Sequence, residues 1–332
     1  MREGAGAGAG AGAGRRAPLV LGLLVAAALV VGGERTALSA QELQSSLVVD
    51  VADEVEQGEL LGLSVSGPAR LDEVSIELRT AAGNRRFTAA FSGGDGVWYA
   101  LLGIDSTDAV GEATLTVRAI AQGGPVIHEQ GIMVRAAQFR SRRIALDGAL
   151  SSLRRTEDPR RAEQSRILWE LLHEVDTTAV YHRGALRAPV ADFRRTSEYG
   201  DRREFAYSDG SSARSIHYGV DFAAPSGTPI VASGGGRVAM ARERIITGGT
   251  VVLEHLPGVF TVYYHLQRID VEEGTYVVPG APIGTVGSTG LSTGPHLHWE
   301  LRVAGAAVDP ERAMERPLVD SELPPGASSS SP

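Results

Sequence analysis

The chain has 332 residues, of which 43% are hydrophobic and 22% charged, and a formal net charge of −8. This suits a soluble globular protein long enough for two domains and a connector. The absence of cysteine and lysine excludes disulfides, thiol catalysis, thiolate metal sites and lysine-amine chemistry, and the acidic balance leaves no basic surface for nucleic acid.

Residues 1–40 read as an export signal. A GAGAGAGAGAG tract at 4–14 is low in complexity and is expected to be unstructured. Arg15 and Arg16 then precede an apolar run from Ala17 to Val31, followed by small residues ending in LSA before Gln41. A basic start, an apolar stretch of about 7–15 residues and a small-residue cleavage site describe a secretory signal peptide. An uncleaved inner-membrane anchor is the alternative. Either reading places the rest outside the cytoplasm, in the periplasm or cell envelope.

Residues 41–140 contain seven short alternating segments: SLVVDVA, LLGLSVSG, EVSIELRT, RRFTAAFS, VWYALLGI, EATLTVRAI and VIHEQGIMVR. Turn residues separate most of them. Short strands at near-regular spacing predict an antiparallel, immunoglobulin-like β-sandwich. No catalytic constellation falls in it, and His128 reads as an ordinary strand residue.

Residues 141–183 change period and predict a short helical connector. Asp158-Pro159 is a helix start, with Asp as cap and Pro in the first turn. Ile167, Leu168, Leu171, Leu172 and Val175 then recur at helical spacing. His173 is expected to be a packing or surface residue, and His182 a structural one, with capping of the cleft as its alternative. Residues 184–315 return to short strands with Gly-rich turns, an all-β domain. The Pro/Ser-rich residues 316–332 predict a disordered tail. The fold class is therefore mainly β.

The chemistry sits in the last domain. IHYGVDF carries His217 and Asp221 four apart, which on a strand is one face. YYHL carries His265. GPHLHWEL carries His296 and His298, facing the same way as Glu300 and opposite to Leu297, Trp299 and Leu301. Two neutral imidazoles and one carboxylate make a zinc shell with a fourth position free, and without cysteine a zinc site must use such donors. Hydrolysis also needs a proton acceptor and an oxyanion donor, which two spare histidines match. Glu300 is either a hydrogen-bond partner for a ligand imidazole or a solvated strand carboxylate. His255, near a turn, is expected to be exposed. One of Tyr263 and Tyr264 is expected in the core, with the other bordering a cleft.

The segments IHYGVDFAAPSGTPIVASGGGRV, YYHLQRI and GSTGLSTGPHLHWELRV stand in the order found in lysostaphin-type (LytM-like) zinc endopeptidases, and about residues 196–313 resemble that family. The resemblance implies zinc held by His217, Asp221 and His298. It places the family's other two histidines at His296 and His265, with His296 expected as the base and His265 as the oxyanion donor, or the two roles exchanged or shared. It implies cleavage of peptide bonds in bacterial peptidoglycan, with peptidoglycan peptides as the partner. YGDR at 199–202 resembles the family's Phe-Gly-x-Arg lead-in with Tyr199 for Phe, and the REFAYSDGSSARSI that follows is longer than the family pattern. No candidate residue precedes this lead-in, so a fragment from about Gly184 should bind zinc and retain hydrolysis.

Three other readings compete. A two-His, one-carboxylate set also suits ferrous iron, but would leave His265 and His296 without roles. A non-catalytic envelope regulator that binds peptidoglycan or activates an amidase is the functional alternative, against which all five positions are filled. VEEGTYVVPGAPIGTVG at 271–287 resembles a biotinyl or lipoyl carrier turn, which needs the lysine this chain lacks.

Overall fold

The computed structural model describes residues 47–67, 70–121 and 124–319. The expected export segment, the Gly-Ala tract and the tail beyond Val319 lie outside the described residues. Among the described residues no helix is long and apolar enough to cross a membrane.

The first nine strands are β1 (Val48–Val51), β2 (Glu54–Glu56), β3 (Leu60–Ser66), β4 (Leu71–Arg79), β5 (Arg85–Ala89), β6 (Phe91–Ser92), β7 (Trp98–Gly103), β8 (Gly111–Ala121) and β9 (Gly124–Arg135). They form a four-stranded sheet in the order β1-β3-β7-β6 and a five-stranded sheet in the order β2-β9-β8-β4-β5. Each of the seven alternating segments falls on one or two of these strands. The unforeseen member is β2, a three-residue strand lying parallel to β9. Alternation puts Leu61, Leu63 and Val65 of β3 and Ile132 and Val134 of β9 into one core with Leu78, Leu102 and Leu115.

The next segment opens with a strand, where only helix was expected. β10 (Ser141–Ala145) is followed by α1 (Gly148–Arg155) and α2 (Pro159–Leu172). Asp147 caps α1 by accepting from Leu150 N at 2.8 Å, and Asp158 caps α2 by accepting from Arg160 N at 2.9 Å. The apolar stripe of α2 packs Ile167, Leu168, Leu171 and Leu172 on Met240, Val252, Phe260, Val262 and Tyr264.

The remaining strands are β11 (Arg194–Ser197), β12 (Arg202–Ala206), β13 (Ser212–Ile216), β14 (Val220–Ala223), β15 (Pro229–Val231), β16 (Gly236–Arg244), β17 (Gly248–Leu256), β18 (Val259–Ile269), β19 (Tyr276–Val277), β20 (Pro282–Val286), β21 (His296–Val303) and β22 (Ala306–Val308). Ten of them form one sheet, whose main path is β11-β14-β21-β18-β17-β16-β19. The long stretch after YGDR folds as the hairpin β12–β13, turning at Gly210 with φ 86°. β10 adds to it in parallel, pairing Arg142 with Arg203 and Arg143 with Glu204. This small sheet β10-β12-β13 stands beside the metal-ligand cluster described below.

The described residues lie in one compact unit. Phe91, Tyr99 and Leu101 belong to the same apolar cluster as Trp299, Leu301 and Val308. Tyr199 bridges the boundary: its hydroxyl donates to Ala307 O at 2.8 Å and accepts from Ser106 N at 2.9 Å. Gly103 is glycine for space, since a Cβ there would lie 2.8 Å from Val308 Cγ1 and 2.9 Å from Ala306 Cβ.

Candidate metal centre

The register of four strands builds the site. Ser197 on β11, Asp221 on β14, His298 on β21 and Tyr264 on β18 lie in one cross-strand row. The next row on the same face runs Arg194, Ala223, His296. Directly opposed residues share a face, so His296 and His298 point to one side with Asp221. Leu297, Trp299 and Leu301 fill the other side and are fully buried.

His217 arrives differently. It lies past the end of β13, where the chain turns through Tyr218 and Gly219 into β14. The shared face inferred from even strand spacing is thus made by a corner. Gly219 permits it: a Cβ there would sit 2.2 Å from Trp299 O. His265 sits where β18 leaves β21 and turns to β20, its neighbours pairing as Tyr264 with His298 and Leu266 with Val286. Its φ is 66°, the left-handed region sparsely populated by non-glycine residues.

His217 Nε2, His298 Nδ1 and Asp221 Oδ1 converge. The nitrogens are 2.8 Å apart, and Asp221 Oδ1 lies 3.0 Å from the first and 2.9 Å from the second. The outer nitrogens are committed elsewhere. His217 Nδ1 donates to Glu198 O at 2.7 Å, and His298 Nε2 donates to Glu300 Oε1 at 2.8 Å. A carbonyl or carboxylate oxygen can only accept, so each neutral ring carries its proton outward and its lone pair inward. Two bare nitrogen lone pairs and a carboxylate oxygen within 4.8 Å of one another are a donor set for a cation. Zinc fits it, with nitrogen and oxygen donors, no sulfur, and outer nitrogens fixed as zinc-ligating imidazoles usually have them.

The other two imidazoles repeat the arrangement. His296 Nδ1 donates to Gly294 O at 2.8 Å, and His265 Nδ1 donates to Thr289 O at 2.8 Å. Their rings are 4.7 Å apart between centroids, and His296 Nε2 is 3.7 Å from Asp221 Oδ1. His296 presents a bare Nε2 towards Asp221, and the His265 ring lies beside it with its Nε2 free of a hydrogen bond among the described residues.

Burial lowers the proton affinity of His217 and His296, and that of His265 to a pKa of about 3. His298 goes the other way: burial opposes its charged form, but Asp221 and Glu300 outweigh it and raise the pKa. Burial also works against the Asp221 carboxylate, yet His217 and His298 hold it well below the usual carboxylate range.

All five residues singled out from the sequence come together here. Glu300 is buried and is the partner of His298, not a solvated carboxylate. His255, expected exposed, is fully buried, bonded to Gly235 O and Thr261 Oγ1 at 2.7 Å each. A turn-rich neighbourhood hid the fact that strands cover it on both sides. Tyr263 is core, and Tyr264 stacks on His298 at 5.3 Å. Arg203 was missed: its Nη2 is 2.5 Å from Asp221 Oδ2. It comes from the β12–β13 hairpin, and no local spacing relates it to Asp221.

The family model for Peptidase family M23 matches residues 215–310. Over 95 residues the chain is 46% identical to the DD-carboxypeptidase/endopeptidase Mpg of Neisseria meningitidis, 29% of this chain and 22% of that one. Over 137 residues it is 42% identical to the peptidoglycan DD-endopeptidase ShyC of Vibrio cholerae, 41% of this chain and 30% of that one. The chain thus spans less than a third of the length of these curated relatives. A crystal structure of a protein described as a peptidase M23 from Pseudomonas aeruginosa superposes with a TM-score of 0.54 at 27% identity, covering 80% of this chain and 92% of that one.

Proposed function

Because the chain belongs to peptidase family M23 through its C-terminal domain, we propose that it is a zinc-dependent endopeptidase that hydrolyses peptide bonds in bacterial peptidoglycan. The observation that carries this is the inward convergence of His217 Nε2, His298 Nδ1 and Asp221 Oδ1, with two further bare imidazole nitrogens beside them. His217, Asp221 and His298 are assigned as the zinc ligands, and His296 and His265 as the catalytic pair.

When bound, zinc supplies Lewis acidity towards a water and a substrate carbonyl. The chain's own residues do the rest. His296 Nε2, neutral and bare, takes the water's proton. Once protonated, an imidazole in this pair becomes a donor at its inward nitrogen and can stabilise the oxygen that gains charge at the scissile carbonyl. Proton acceptance is assigned to His296, whose Nε2 lies 3.7 Å from Asp221 Oδ1, and oxyanion stabilisation to the pair. Glu198 O and Glu300 fix the tautomers of two ligands, and Arg203 occupies Asp221 Oδ2, leaving Oδ1 for the metal.

The curated relatives are named for D,D-bonds, so the D,D cross-link is the assigned target. Such a substrate places the protein in the cell envelope, with the N-terminal residues as a cleaved signal or inner-membrane anchor. The two-sheet region before β10 is read as an immunoglobulin-like module, and residues 184–315 as the peptidase domain. Digestion of purified peptidoglycan by the zinc-loaded protein, with mass spectrometry of the released fragments, tests the reading. D,D-cleavage products that disappear with a chelator are expected; zinc-loaded protein that releases none overturns it.

A further inference from the structure

The cleft beside the cluster is lined by arginine. A cavity of about 550 Å³ reaches Asp221, His265 and His296, and four arginines line it: Arg142, Arg143, Arg194 and Arg203. None lies within residues 215–310, which the family model matches. They come from β10, β11 and β12. Among the described residues, Asp221 is the one carboxylate on the cavity wall.

Two of the four are already neutralised. Arg203 is paired with Asp221, and Arg142 Nε lies 2.8 Å from a buried oxygen of Asp201. Arg143 and Arg194 are exposed, and among the described residues neither side chain has an ion pair or hydrogen bond. Glu204, opposite Arg143 across β10 and β12, makes no ion pair with it, and Arg143 and Glu204 both line a neighbouring groove as well. Arg194 shares the cross-strand row of His296, two strands away. Successive strands are about 4.8 Å apart, so its backbone stands about 10 Å from that of His296.

Unpaired cations gathered at one cavity repel each other, and more so with a divalent cation bound. An anionic ligand relieves this, and a guanidinium fork matches a carboxylate in two parallel hydrogen bonds. The ligand that reaches His265 and His296 is the substrate itself. We propose that Arg143 and Arg194 form a subsite for a free carboxylate of the peptide substrate, making cleavage selective for peptides that carry that charge near the scissile bond. This rests on the hydrolase reading above.

The test uses the zinc-loaded full chain and a series of cross-linked stem peptides in which each free carboxylate in turn is made a carboxamide. Amidation at one position is expected to lower kcat/KM by about 10–100-fold, the range of a lost charge-assisted hydrogen bond. In Arg143→Gln and Arg194→Gln the acid-to-amide ratio should collapse towards one, with zinc still at one per chain and the thermal midpoint held. Wild-type protein that cuts acid and amide peptides equally overturns the subsite and leaves the hydrolase reading intact. Protein that cuts neither overturns both. Variants that keep the acid-to-amide ratio but lose binding to vesicles of anionic phospholipid would assign the arginines to an envelope surface instead, and the proposal falls.

Discussion

Glu300 Oε1 accepts the Nε2 proton of His298 at 2.8 Å, and Glu300 Oε2 lies 2.7 Å from Arg302 Nε and Nη2. The carboxylate is buried, which disfavours its charge, but Arg302 and His298 lower its pKa to about 2, so it is ionised at any working pH. An ionised acceptor fixes the imidazole tautomer and makes the inward nitrogen a better donor to a metal. Glu300→Gln keeps an oxygen in place and removes the charge. Its zinc affinity should fall about 10–100-fold, read by competition with a chromogenic chelator. Unchanged affinity would mean that Glu300 serves only to neutralise Arg302.

His298 and His296 are two residues apart on one face, yet their assigned work differs. Removing a ligand removes metal affinity, whereas removing a base leaves the metal and slows proton transfer by about 10²–10⁴-fold. His298→Ala should lose both zinc and hydrolysis. His296→Ala should hold near-stoichiometric zinc and hydrolyse peptidoglycan far more slowly. The opposite pattern reverses the assignment, and two fully active variants end the catalytic reading.

The parts of this architecture that follow from short-range pattern were legible in the sequence. Alternation in HLHWELRV separates Leu297, Trp299 and Leu301 from the two histidines because a strand has period two. Asp158-Pro159 marks α2 because capping is local. What could not be read depends on distant partners. Nothing near Ser141–Ala145 announces a strand, since its partner β12 is more than fifty residues away. His255 lies beside a Pro-Gly turn, and only the neighbouring strands bury it. Arg203 meets Asp221 because a hairpin folds over the site. His217 illustrates a third case, a correct shared face reached through a corner that spacing alone does not reveal.

That corner makes Gly219 a sharp test. Its hypothetical Cβ would lie 2.2 Å from Trp299 O and 2.9 Å from Glu300 Cγ, and backbone cannot yield as a flexible side chain can. Gly219→Ala must therefore push β14 from β21 or move His217. Overpacking of this kind costs about 1–3 kcal/mol, occasionally more. We expect a lowered urea midpoint together with weakened zinc binding. A variant as stable as the parent, with full zinc, would show that the corner relaxes freely.

A fragment beginning at Gly184 retains all five site residues, so zinc binding is still expected of it. Its stability is another matter. It lacks β10, the parallel partner of β12, and it uncovers Phe260, Val262 and Tyr264, on which Leu168, Leu171 and Leu172 pack. Each such side chain contributes about 1.5–3 kcal/mol when fully buried. The fragment should unfold at clearly lower urea concentration than the full chain and, lacking Arg143, should distinguish acid from amide peptides less well. An equal midpoint would show that the preceding segments do not buttress the peptidase domain.

The buried His255 predicts how stability responds to acid. Burial lowers its pKa to about 4, with no carboxylate in contact to offset it. The unfolded chain binds a proton at this residue below about pH 6.5, the folded chain only below about 4. Between those values the unfolded state holds more protons, so stability is full above about 6.5 and falls as pH falls. The loss reaches about 1.4 kcal/mol per pH unit and about 3 kcal/mol in all. His255→Gln has no such proton to bind. Urea unfolding of the metal-free wild type and variant at several pH values between 6.5 and 4.5 compares the two slopes, with every other histidine common to both. The wild type should lose stability more steeply than the variant by up to about one proton's worth. Parallel slopes would mean that the folded protein admits a proton to His255 as readily as the unfolded chain does.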